Sequence, residues 1–362
     1  MFTLYKYELK KVVSQKYFLL ASLIFCLFIV AVGLTPVVTK SIPSKQENQI
    51  VSNRYIDDEL LDEARANEGK GIYSYITDFI KFCTNSTQID DYSAKDVYDA
   101  RLKSIDKEMG ASYLTKQETA YWNKKKEEIK TPFKFYADTG YSEVYELVSM
   151  IGFITVILCN IAISGIFADE KQTGVDQILL STKHGRSKLY TAKILVSLTL
   201  GIIIPIVLFL ISVFFELLVF GSQGYNNPLQ VHIPVCLYDI TIGESMYYCL
   251  FKLVFGGIVS STFAALLSEI TKRHQAAQAI SIVIMLLSMV SIPEKLRVLS
   301  YLWHFMPATN IGAWMFYEYR MINLFGIMLN DFIATPLVWI IASVIFIIIG
   351  KVVYKKDEVL GR

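Results

Sequence analysis

Residues 17–39 read YFLLASLIFCLFIVAVGLTPVVT, 23 residues without one Asp, Glu, Lys or Arg. Five further stretches share that property: 147–168, 194–215, 253–268, 275–293 and 332–350. A hydrocarbon layer roughly 30 Å thick takes about 20 apolar residues as helix. Five of the six stretches meet that length almost directly. The stretch 253–268 reaches it only if its helix begins near Tyr247, with Lys252 inside the first turns; otherwise it is a re-entrant or interfacial segment. The pattern predicts an all-α integral membrane protein with six transmembrane helices. It excludes a soluble enzyme, a disordered chain and a membrane β-barrel, whose strands would alternate.

Basic residues set the orientation. With residues 1–16 in the cytoplasm, the inner segments are 1–16, 169–193, 269–275 and 351–362, and they carry 15 Lys and Arg. The short outer segments, 221–246 and 294–331, are of similar total length and carry three. Both termini are therefore expected in the cytoplasm of a multi-pass protein of the cell membrane. The expected spans are 17–39, 147–168, 194–220, 247–268, 276–293 and 332–350. Residues 40–146 then lie outside as one soluble-like domain with helical periodicity. Thr115 and Glu118 are spaced as a capping box. Residues 1–16 alternate apolar and basic positions at helical spacing, as a basic amphipathic helix on the inner leaflet does. Residues 294–331 carry Trp303, Trp314 and many other aromatics, which predicts one or two helices in or on the outer leaflet. Cys83 and Cys236 would both be outside, where a disulfide between them is one option and two free thiols the other.

Catalytic motifs are missing. There is no GxxxxGK[ST] to cradle nucleotide phosphates, no HExxH, no GxSxG, and no His/Cys cluster with zinc spacing. Charges inside the apolar segments are rare and worth weighing. Glu216 at the outer end of the third span and Lys252 at the outer start of the fourth read as matched in depth, which allows an ion pair. The alternative is that both side chains snorkel to the interface.

The most informative loop is 169–193. Residues 174–181 form a short helix there, presenting Val175, Ile178, Leu179 and Leu180. Gly185 permits a turn, and Arg186, Lys188 and Lys193 lead into the next span. An apolar knob on a cytoplasmic loop calls for lipid or protein to cover it.

This loop resembles that of ABC-2 type ABC-transporter permeases. The resemblance rests on Glu170-x-x-x-Gly174, Ile178-Leu179-Leu180-Ser181-Thr182, Gly185-Arg186-Ser187-Lys188 and Lys193. The opening Tyr7-Glu8-Leu9-Lys10-Lys11 before a span, the six spans, the aromatic outer hairpin and the large outer domain add to it. The resemblance implies a permease subunit, not itself an enzyme, that pairs with a second permease in a homo- or heterodimer. Two separate ABC ATPase subunits would dock below and hold the ATP and magnesium; no cofactor belongs to this chain. The coupling helix would map to about residues 169–188, with Glu170, Gly174, Val175, Ile178, Leu179, Leu180, Gly185, Arg186 and Lys188 as contacts. Lipid is the remaining partner, and no nucleic acid is expected. The implied activity is export of a peptide or an amphipathic, lipid-like molecule. A membrane receptor whose outer domain binds a ligand without transport is the competing class, and it would need no ATPase-binding knob.

Overall fold

The computed structural model describes residues 1–39, 50–69, 71–86, 92–181, 188–324 and 326–360. In chain order, α1 (Phe2–Val13) precedes α2 (Lys16–Gly33) and its short extension α3 (Thr35–Thr39). The domain follows: β1 (Arg54–Tyr55), α4 (Asp58–Ala66), α5 (Tyr73–Thr84), α6 (Ala94–Ala111), α7 (Lys116–Glu128) and β2 (Lys134–Phe135). Then come α8 (Thr139–Ile163), α9 (Ala168–Thr173), α10 (Val175–Ser181), α11 (Lys188–Phe220), α12 (Leu229–His232), α13 (Ile242–Thr271) and α14 (His274–Ser288). The last part holds α15 (Arg297–His304), α16 (Pro307–Asn310), the hairpin strands β3 (Ile322–Leu324) and β4 (Ile327–Leu329), and α17 (Asp331–Leu360).

Among the described residues, five helical segments are long and apolar enough to cross a membrane: Lys16–Val38, Thr139–Thr173, Lys188–Phe220, Ile242–Thr271 and Asp331–Lys356. The chain is an α-helical membrane protein, but the expected fifth span differs. In place of 276–293 the helix α14 has 15 residues, about 22 Å at 1.5 Å per residue. Its stop has a local cause. Pro293 disfavours helix at the residue before it. The Ser288 carbonyl, which a next turn would have used, instead accepts from Trp303 Nε1 at 3.0 Å.

The crossings run between two ends of the bundle. At the loop end, Tyr17 packs against His274 and Tyr354 against both Phe167 and Tyr190. Both terminal helices thus reach the same end. At the domain end, Trp122 donates to the Tyr319 carbonyl at 2.6 Å and stands edge-on to Tyr238 and Tyr319. Arg101, buried, donates to the Cys236 carbonyl at 3.1 Å.

The domain's own core gathers Ile56, Leu60, Leu61, Ile76, Phe79, Ile80, Val97, Phe133 and Phe135. Ile105, Met109 and Trp122 pack instead into the core of the membrane bundle. The aromatic residues are therefore mostly structural. The capping box at Thr115 and Glu118 is present, and Glu118 does more, accepting from Arg297 and from the Met321 amide. The domain is not wholly helical: β1 and β2 pair antiparallel and close it at the membrane side. Residues 294–331 also depart from the expectation, since two short helices and a 3-10 turn give way to the β3–β4 hairpin. Pro307 and Gly312, whose φ of +151° no helix contains, interrupt any longer helix there. Cys83 and Cys236 are both buried and free.

Where the domain meets α8, Asp138 Oδ2 contacts His232 Nε2 at 2.6 Å and accepts from Asn227 Nδ2 at 2.8 Å. Burial opposes the charged imidazole, but the Asp138 carboxylate, helped by Glu146 and Glu143, outweighs it and raises the His232 pKa. A raised histidine stabilises the fold fully below its unfolded pKa of about 6.5 and loses that contribution as pH climbs through the folded value. The wild-type melting temperature should therefore fall as pH rises from about 6 through that window. In His232→Gln that slope should be absent; identical pH profiles would refute the linkage.

Candidate functional site

At the loop end, α9 begins where the Phe167 and Ala168 amides donate to Ser268 Oγ on α13, at 3.1 and 3.0 Å. A neighbouring helix thus caps this one, satisfying donors that a helix start leaves open. Six residues later Gly174 adopts φ +71°, a left-handed stop that glycine takes without strain. The chain turns there and restarts as α10.

The three charged residues of α9 each reach a different element. Asp169 Oδ1 contacts His274 Nδ1 on α14 at 2.9 Å. Glu170 accepts from Lys11 on α1 and from Lys193 on α11, both at 2.6 Å. Lys171 pairs with Glu269 on α13 at 2.5 Å. Lys193 is fully buried, donates also to the Ile166 carbonyl, and lies 3.8 Å from Glu8. Burial pushes the Glu8 carboxyl up, with the lysines pulling against it.

Glu170 therefore sits at the centre of a buried node of two carboxylates and two ammonium groups. Breaking such a pair by removing one member costs about 3–5 kcal/mol, because the other charge is left unpaired in low dielectric. The apolar knob projects beyond the node: Val175 is 42% exposed and Ile178 69%. Lys188 opens α11 and is exposed. The side chains of Leu179 and Leu180, and all of Gly185 and Arg186, lie outside the described residues. Asp169, Lys171 and Lys193 were not among the expected contacts. For Asp169 and Lys171 the available signal was a run of three charges, Asp169-Glu170-Lys171, next to an apolar segment.

The structure does not bring Glu216 and Lys252 together. Helices α11 and α13 cross where Gly201 and Gly257 place backbone against backbone; a β-carbon on either would overlap the other's carbonyl. Glu216 lies 15 residues past that crossing and Lys252 only 5 before it. Along the axes these are about 22 Å and 8 Å, so their depths differ. The error arose because α13 begins at Ile242, where Thr241 and Glu244 form a capping box. Lys252 instead pairs with Asp331 at 2.5 Å and donates to Asn310 Oδ1 at 2.6 Å. Asp331 also binds His304 and Thr335. Glu216 is buried against Gly33 of α2, and neither of its oxygens has a hydrogen-bond partner among the described residues.

The profile of the family described as ABC-2 family transporter protein matches residues 42–353. The chain belongs to the ABC-2 transporter family. No curated protein and no solved structure matches it. In this ABC-2 permease the loop expected to face an ATPase is therefore the same loop whose helix α9 is ion-paired to α1, α11 and α13 and hydrogen-bonded to α14. Membership implies a membrane-embedded transport component that works with an ABC ATPase.

Two double-mutant cycles on thermal stability check these pairings. Lys193→Met should cost about 3–5 kcal/mol, part of it recovered when Glu170→Gln is added. Lys252→Met and Asp331→Asn should couple by more than about 1 kcal/mol, while Lys252→Met and Glu216→Gln should couple by less than about 0.5. The reverse ranking would refute the arrangement.

Proposed function

We propose that this chain is the membrane half of an ABC exporter, driven through α9 and α10 by a separate ATPase. The loop end is then cytoplasmic, in line with the bias of basic residues, and the domain of residues 50–137 is extracellular. Two ATPase subunits dock on the loop ends of a permease pair, either two copies of this chain or one copy with a related chain. Nucleotide and magnesium stay on the ATPases.

One observation carries this reading. Asp169, Glu170 and Lys171 tie a short helix with an exposed apolar neighbour to four other elements. A push on α10 thereby reaches the start of α11 through Lys193 and the end of α13 through Glu269. That is what coupling between two distant sites requires: a contiguous element that both can bias. The cargo reading is a peptide or another amphipathic molecule, handled on the domain side.

Ile178→Asp tests the coupling. Its side chain is largely exposed, so the permease should still insert and melt normally. A charge in an apolar socket is costly, so ATP hydrolysis stimulated by the permease should drop at least about fivefold, the lower end of typical coupling energies. Undiminished association and stimulation would overturn the assignment.

A further inference from the structure

Two adjoining cavities run from the middle of the bundle toward its domain end. The inner one, about 380 Å³, is walled almost entirely by apolar atoms of α8, α13, α14 and α17, including Val259, Phe263, Met285 and Val338. Its size falls within the range of small-molecule sites. The outer one, about 840 Å³, lies between the domain, α8, the end of α14 and the segment that carries α15 and α16. Ser288 and Ala308 line both. Residues 305–308 border the inner chamber, and this segment is tethered by indoles. Trp339 Nε1 donates to the Phe305 carbonyl at 2.7 Å, and Trp303 Nε1 donates to Ser288.

The outer cavity has a distinct chemistry. Trp314 and Tyr317 on its wall are 57% and 40% exposed. Glu318 is engaged by Arg320 and adds no net charge. Glu108 and Glu294 also line it, both exposed, and neither carboxylate forms a salt bridge or hydrogen bond among the described residues. Carboxylates beside exposed aromatic faces are the setting that attracts organic cations. An apolar chamber next to such a vestibule divides a ligand into tail and head.

We propose that the two cavities together form a binding site for a cationic amphiphile, its apolar tail in the inner chamber and its positive head among Glu108, Glu294, Trp314 and Tyr317. This deepens the exporter reading by naming a ligand class. Its test needs neither ATP nor an ATPase, so failure here and failure of the coupling assignment are separate results.

The full chain is reconstituted in phosphatidylethanolamine nanodiscs and exposed to decyltrimethylammonium or decyl sulfate, each with a diazirine in the tail. Peptides containing Phe263 and Met285 should be labelled about tenfold more by the ammonium probe, equivalent to about 1.4 kcal/mol. The preference should shrink as salt is raised, because the carboxylates are exposed. In the double variant Glu108→Gln, Glu294→Gln it should fall to within about threefold. Val338→Trp, which fills the chamber, should abolish labelling by both probes, with Ala342→Phe as the second filling variant if the first does not insert. Adding phosphatidylcholine separates two sources of the same chemistry: competition points to a choline lipid from the bilayer, and its absence to a free amphiphile. Equal labelling by the two probes, an unchanged preference in the double variant, or labelling that survives a folded chamber-filling variant would each overturn the site.

Discussion

The contact between Lys193 and Glu170 is the constraint on which the loop end depends. An ammonium group with no exposure to water is tolerated only when a carboxylate and further acceptors meet it. Glu170 supplies the charge and the Ile166 carbonyl a further bond. Because Glu170 sits on a two-turn helix, that demand fixes α9 against α11. Lys11 then draws α1 onto the same carboxylate. Lys171 fixes α13 by the same logic through the buried Glu269, and Asp169 adds a hydrogen bond to His274 of α14. One short helix thus becomes the common neighbour of four elements, with contacts that range from Lys11 to His274 in the chain.

The domain end solves a different problem. Its polar groups bury themselves by reaching across chain segments, so the domain cannot be lifted off as a separate body. Trp122 and Arg101 leave its core and satisfy their donors on the carbonyls of Tyr319 and Cys236. Glu118 closes its own helix and at the same time accepts from Arg297 and the Met321 amide. The segment carrying α15 and α16 is thereby held between the domain and the membrane helices. That position puts it beside both cavities.

Much of this was legible from charge and periodicity alone. The apolar stretches marked the long helices because lipid admits little else. The capping box at Thr115 was a local signal and is present, whereas the left-handed stop at Gly174 was not read, since residue 174 was expected to open the short helix. Depth was not legible. Charge-free stretches understate helices that begin in polar flanks, so α13 starts at Ile242 rather than near Tyr247. Lys252 was consequently set too close to the surface and given the wrong partner. Its true partners, Asp331 and Asn310, are 79 and 58 residues away in sequence, and no spacing rule joins them. The short β ribbons were equally hidden, since two or three residues carry no alternation to read.

The two ends are joined by α13, a single helix of 30 residues. It bears Lys252 toward the domain end, and Ser268 and Glu269 at the loop end. Its tightest neighbour is α11, at the Gly201–Gly257 crossing, where the absence of side chains lets two backbones touch. Glu269 stands 12 residues from Gly257, about 18 Å, and Lys252 stands 5 residues away, about 8 Å. Any tilt about the crossing moves these two residues in opposite directions, with the larger displacement at the loop end. Lys252 cannot follow without dragging Asp331, because leaving it would strand a buried charge, and parting from Asn310 would lose a buried hydrogen bond. The segment that borders the inner chamber is therefore tied mechanically to the helix that the α9 node holds.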